Sequence, residues 1–255
     1  MKPENGLARK LLDAALIALT FILLVGGAEA AIHLFRVPRW ILPAPSQVVV
    51  ALVNNFGTEI LPNLIVTLKE VGLGFTIGAS LGILLAMVIT QVPILEKMIT
   101  PYILLLVTTP MISLVPLLML VFGFGITTKV IVIALATGPV VMMNTVTGLQ
   151  GVDPLRLDLM RSLHANTFQV FWEVRLPSAL PSIFTGLMIG AVFSIITAVG
   201  AEFVGGTAGL GNRLLFNSSL LNTAVMYAII LVLALMGLSV YVIIQFISKR
   251  LITWK

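Results

Sequence analysis

The chain has no cysteine, which excludes disulfides, thiolate metal sites and a cysteine nucleophile. Histidine is nearly as scarce: His33 and His164 are the only two, far apart and in unlike surroundings. No H-E-x-x-H, G-x-S-x-G or Walker phosphate loop occurs, so the usual signatures of zinc hydrolases, serine hydrolases and P-loop nucleotide binders are missing. Charge is the third scarcity. Only 10% of the 255 residues are charged and 59% are hydrophobic, whereas a soluble domain has about 25% charged and about 45–50% apolar residues. With a mean hydropathy of +1.13, this excess cannot be hidden in a core of ordinary size, and lipid must solvate much of it. The net charge of +5 and isoelectric point near 9.8 then serve topology and anionic lipid rather than nucleic acid.

A helix needs about 20 mostly apolar residues to cross a bilayer. Such stretches fall at 11–35, 64–90, 97–122, 127–149, 179–204 and 224–248, giving about six spans. Pro110 and Pro116 interrupt the 97–122 stretch. With the N-terminus in the cytoplasm, Lys2, Arg9, Lys10, Lys97, Arg156, Arg161, Arg175, Lys249, Arg250 and Lys255 lie inside. Arg36, Arg39, Lys69, Lys129 and Arg213 lie outside, so the 15 basic residues divide ten to five, with both termini inside. The basic start, apolar run and Ala28-Glu29-Ala30 resemble a cleavable leader. The apolar run continues to Phe35, however, and is read as the first span. Residues 40–63 are expected outside, with Ser46 as the N-cap of a short interfacial helix carrying Val49, Leu52 and Val53 on one face and Trp40 at headgroup depth.

Between the fourth and fifth spans lies a polar hairpin, residues 153–180. Asp153-Pro154 is a helix start, an aspartate N-cap followed by proline at the first helical position. Leu155, Leu159, Met160 and Leu163 share one side, and the helix should end near His164. Asn166 with Gln169 forms a capping box for a second helix, whose apolar stripe is Phe168, Phe171 and Trp172. Leu176-Pro177 should end it, because the residue before proline is driven from the helical region. A further helix then enters the membrane through Pro181. The stripe is large for a solvated loop. It packs on its own bundle or docks a partner.

The stretch "DLMRSLHANTFQVFWEVRLPSALPSIFTGL" resembles the E-A-A-x-x-x-G…I-x-L-P loop of ATP-binding-cassette importer permeases. Asp158 stands at the glutamate position, Leu159 and Met160 at the alanines, and Val174-Arg175-Leu176-Pro177 at the closing motif. "WILPAPSQV", "FGFGITTKV", "AEFVGGTAGLGNRL" and the terminal "LITW" are similar to permeases of nitrate, sulfonate, taurine and bicarbonate importers, from about Trp40 to the end. The resemblance implies an all-α polytopic permease: a single domain over 1–255, with a first span at 11–35, a core at about 60–250 and a cytoplasmic coupling loop at 153–180. It implies an ATPase-coupling surface at Asp158, Arg161, Ser162, Leu163, His164, Ala165, Asn166, Phe168, Phe171, Leu176 and Pro177. It further implies a second permease copy, two ATPase subunits that bind ATP and magnesium, an extracytoplasmic solute-binding protein, and location in a bacterial inner membrane. This chain itself would hold no cofactor or metal and would not be an enzyme. His164 replaces the loop's signature glycine. Histidine is among the residues enriched at positive φ, so the turn should survive, at about 1 kcal/mol.

Ionisable residues within spans mark partners or pathways. Glu29 is expected to find a headgroup-level or interhelical partner, the Lys69-Glu70 pair to be interfacial, and Glu202 to pair with Arg213 or Lys129 or to act as a gate. Thr108, Thr109, Ser113, Thr137, Asn144, Thr145, Ser194 and Thr197 are uncharged polar groups expected to bond mostly between helices. Among these, Thr109, Ser113, Asn144, Ser194 and Thr197, with Glu202, are the candidates for a solute path. Gly186, Gly190, Ala191 and Ser194 form a small-residue stripe suited to close packing. A secondary transporter or channel would show internal repeats and ionisable pairs at mid-membrane. An integral membrane enzyme would cluster catalytic residues. Neither pattern is evident.

Overall fold

The computed structural model describes residues 5–253. Lys2, Trp254 and Lys255, named above, lie outside the described residues, and of Arg9 and Lys10 only the helical backbone is described. The described residues are helical, without a strand among them. The order is α1 (Asn5–Leu34), α2 (Pro45–Asn55), a π-turn (Phe56–Ile60), α3 (Leu61–Ile89), α4 (Pro93–Thr108), a 3-10 turn (Met111–Leu114), α5 (Val115–Phe122) and α6 (Ile126–Gln150). There follow α7 (Pro154–Ser162), α8 (Thr167–Gln169), a second π-turn (Val170–Arg175), α9 (Leu176–Gly205), α10 (Leu210–Ser219) and α11 (Thr223–Leu251). Five helical stretches are long and apolar enough to span a membrane, and a sixth is a bent pair.

Three expectations from sequence are corrected. The stretch 97–122 is not one straight helix. It breaks at Thr109-Pro110 and its two halves meet at 88°. Pro110 has no N–H to continue the ladder, and Thr109 turns extended (ψ 126°) ahead of it. The supposed interfacial helix is continuous with the next span, with helix running from Pro45 to Ile89. Its N-cap is Ala44, with Pro45 in the first turn, and the Ser46 hydroxyl donates instead to Glu29 (2.7 Å). Nor does Leu176-Pro177 end a helix: Thr167–Gly205 is helical throughout, 39 residues. The π-turn at 170–175 sends the Leu176 N–H back to the Phe171 carbonyl, five residues away. Widening the turn makes room for the Pro177 ring, so Leu176 stays helical (φ −65°, ψ −48°).

The chain forms two compact units. One comprises the described residues up to Leu61 together with Leu214–Leu231. Within it the Glu29 carboxylate accepts from the Ser46 N–H (3.0 Å) and hydroxyl, capping α2, and contacts His33 (3.1 Å). The Thr223 hydroxyl donates to the Arg39 carbonyl, and the Asn217 amide donates to Glu59 (2.7 Å).

The other unit comprises Pro62–Arg213 and the described residues from Val232 onward. Its spine is α6 packed on α9. Gly186 and Gly190 let the two backbones close, since a β-carbon at Gly186 would stand 2.7 Å from Asn144 Cβ and one at Gly190 2.9 Å from Val141. The small-residue stripe therefore packs within the protomer. Around this spine sit Val71, Ile133, Ala198 and Met236 on one side and Ala86, Ile89, Ile103 and Met142 on another.

Candidate functional site

The hairpin is capped as its sequence requires. Asp153 Oδ1 accepts from the Leu155 N–H (2.9 Å). At the other end of α7, the His164 N–H donates to the Arg161 carbonyl and the Ala165 N–H to the Met160 carbonyl, both 3.0 Å. These two bonds make a Schellman motif, which needs a left-handed residue at the position after the cap. His164 supplies it, at φ 57°. Replacing His164 with glycine removes the strain of a side chain in that conformation, so the hairpin should gain about 1 kcal/mol. Hydrogen exchange of the 160–166 amides should slow, with transport retained. Loss of transport would show that the imidazole itself has a task. Asn166 and Gln169 then cap each other reciprocally, each bond 2.9 Å, and start the long helix.

The surface this builds has one polar and one apolar character. Arg161 pairs with Asp158 at 3.0 Å in full exposure, a contact worth about 0–1 kcal/mol. The Ser162 hydroxyl turns back to the Leu159 carbonyl. Leu155, Leu159 and Leu163 are exposed, as are Phe168 (71%) and Trp172 (49%). Phe168 and Trp172 pack ring to ring with centroids 5.9 Å apart. Phe171, also part of the expected stripe, meets the edge of Trp172 but turns inward against Leu149, Ala179 and Ile183, with Leu176 beside it. Between α7 and residues 173–178 lies a cleft of about 690 Å³ lined by Arg156, Leu159, Met160, Glu173 and Pro177.

At the opposite end of α6, the ionisable residues pair differently from the sequence expectation. Lys69 is exposed, whereas Glu70 is buried and meets the buried Lys129 at 2.7 Å. Glu202, fully buried, bonds neither Arg213 nor Lys129. Its carboxylate accepts from the Thr67 hydroxyl (2.7 Å) and from the Gly211 N–H (2.5 Å). Thr67 in turn accepts from the Leu210 N–H, and Asn63 accepts from the Gly209 N–H. The 206–211 loop is thus clamped to the start of α3. Gly209 must be glycine: its φ is +107°, and a β-carbon there would run into the Glu202 carboxylate. Thr67, Asn63 and Gly209 were not singled out from sequence. The "GGTAGLG" run was their signal, and its partners lie up to 146 residues away.

The uncharged polar groups mostly bond within their own helix, not between helices. Thr109 donates to the Leu105 carbonyl, Asn144 to Val140, Thr145 to Val141 and Ser194 to Ala191. A hydroxyl in a helix reaches the carbonyl of the preceding turn more readily than a distant partner. Of the six candidates for a solute path, Thr109 and Thr197 line one cavity, of about 240 Å³, at the break between α4 and the 3-10 turn. Ser113 is exposed beyond it, Asn144 packs on Gly186, Ser194 is buried, and Glu202 holds the 206–211 loop.

The described residues form a helical bundle with a capped polar hairpin that carries an exposed aromatic knob. The chain belongs to the family described as binding-protein-dependent transport system inner membrane component, whose pattern matches residues 78–253. A taurine transport system permease of Escherichia coli is 31% identical over 219 residues, 84% of this chain and 80% of that protein. A riboflavin transport permease of Chloroflexus aurantiacus is 28% identical over 94% of this chain and 90% of its own length. A formylaminopyrimidine transport permease of Halalkalibacterium halodurans is 28% identical over 93% and 94%. Among solved structures, an amino acid ABC transporter is 23% identical with TM-score 0.59, covering 75% of this chain and 93% of that one. An inward-facing methionine ABC transporter is 20% identical with TM-score 0.59, covering 76% and 93%. These two establish the likeness of fold. The protein is accordingly a multi-pass permease subunit of an ABC importer, a translocation component and not an enzyme.

Proposed function

We propose that this permease carries a small organic anion of the sulfonate or oxyanion class inward by alternating access, working as a pair of copies. Two ATPase subunits, which bind ATP and magnesium, dock on the hairpins. An extracytoplasmic protein delivers solute at the end where Glu202 clamps the 206–211 loop. The observation that carries this reading is the exposed cluster Leu155, Leu159, Leu163, Phe168 and Trp172 on an otherwise polar hairpin. Aromatic residues held rigidly at a surface are the usual anchors of an interface.

The unbroken helix from Thr167 to Gly205 supports the mechanical part. Its 39 residues correspond to about 58 Å at 1.5 Å per residue, enough to cross the bilayer and project beyond it. A push on the aromatic knob at one end therefore moves the segment that holds Glu202 at the other, with no hinge at Pro177 to absorb it. The excess of Lys and Arg on the hairpin side favours a cytoplasmic hairpin and cytoplasmic termini in a bacterial inner membrane. The similarity to a taurine permease and to an aliphatic sulfonates permease of Bacillus subtilis supports the solute class. The test is reconstitution in liposomes with an ATPase and a binding protein that co-purify with it. Uptake of taurine or a short alkanesulfonate should require ATP and the binding protein. Uptake that proceeds without ATP would indicate a secondary transporter instead.

A further inference from the structure

We propose that the cavity at the broken span is an intramembrane resting site for a small organic anion, with the Thr197 hydroxyl as its specificity contact; this rests on the permease reading above. The cavity lies beside the middle of α6, between the Thr109-Pro110 break and α9. At about 240 Å³ it is smaller than the roughly 300–1,000 Å³ of drug-sized pockets, so it selects small solutes.

Thr197 is 5% exposed and lines this cavity, yet its hydroxyl makes no hydrogen bond among the described residues. Its neighbours differ: the hydroxyls of Thr108 and Thr109 are spent on the Leu104 and Leu105 carbonyls. A hydroxyl with no protein partner that lines an open cavity is placed for a ligand that arrives. The break supplies a second set of donors. The helical segment Met111–Phe122 starts there, and the first N–H groups of a helix have no acceptor within it. Met111 and Ile112, the first residues of that segment, are among the residues that line the cavity, at the positive end of the segment's peptide dipoles.

The rest of the wall is apolar, including Val140, Phe193 and Ile196, and it carries no charged side chain. Donors at one end and hydrocarbon at the other match an oxyanion head on a short alkyl arm. A cation finds no carboxylate here, because Glu70 and Glu202 are engaged at the far end of α6 and α9.

The absence of native cysteine makes a single introduced thiol an unambiguous reporter. Thr109→Cys, in the full-length chain in lipid nanodiscs, is reacted with an anionic thiol reagent in the presence of rising butane-1-sulfonate. The sulfonate should slow labelling, and butylammonium at equal concentration should not. Adding Thr197→Val should raise the half-protecting concentration about tenfold or more, the value of a hydrogen bond to a charged group. Thr197→Ser should preserve protection. No protection by butane-1-sulfonate in the parent reporter, or equal protection in the valine variant, overturns the assignment. If the valine variant fails to fold, the parent reporter and the serine variant decide it. These readouts need neither ATP nor partners, so failure here is distinct from failure of ATP-dependent uptake.

Discussion

Phe168→Ala combined with Trp172→Ala should abolish co-purification of the ATPase while leaving the chain folded. Both rings are exposed and tilted against each other, so their removal opens no cavity in the bundle. Buried interface aromatics each contribute about 2 kcal/mol or more, roughly thirtyfold in affinity, and two adjacent ones dominate a small interface. The measurement is pull-down of the ATPase from mild detergent, with the chain's elution volume as control. The coupling surface implied by the resemblance includes Phe171 and omits Trp172. Because Phe171 packs on Leu149, Ala179 and Ile183, its truncation confounds docking with core damage. A complex that survives loss of both exposed rings would remove the hairpin from the interface.

Lys129→Met should be the most damaging substitution in the bundle. It strands the Glu70 carboxylate, 1% exposed, without its partner at 2.7 Å. Removing one member of a buried pair costs about 3–5 kcal/mol, whereas replacing both with apolar residues is close to neutral. Thermal unfolding in detergent should therefore show a large loss for Lys129→Met and substantial recovery when Glu70→Met is added. If the double variant is no more stable than the single one, the loss comes from elsewhere, such as the Lys129 contact with the Ala208 carbonyl (3.4 Å). The pair lies beside the clamp on the 206–211 loop, so the same series separates bundle stability from solute delivery. An effect on uptake in the double variant without loss of melting temperature would trace to the loop.

Much of the fold was legible in the chain because the relevant signals are local. Asp153-Pro154, the Asn166–Gln169 box and the left-handed turn at His164 each depend on a few neighbouring residues, and the structure forms all three as read. The errors have local causes too, of a kind that sequence pattern leaves ambiguous. A proline can end a helix or be absorbed by one wider turn. Pro110 broke its span, and Pro177 sits after a π-turn that the sequence does not announce.

Composition and the lengths of the apolar runs pointed to lipid as the solvent and to helical crossings, about six of them, since backbone groups in hydrocarbon must bond within their own segment; the described residues form five such stretches and one bent pair. Only tertiary structure decided that Lys129 meets Glu70 across 59 positions of sequence and Glu202 meets Thr67 across 135. It also decided that Phe171 turns inward and that Thr197 keeps its hydroxyl free. Those outcomes depend on which helix faces are brought together, and residues distant in the chain become neighbours only when the helices pack.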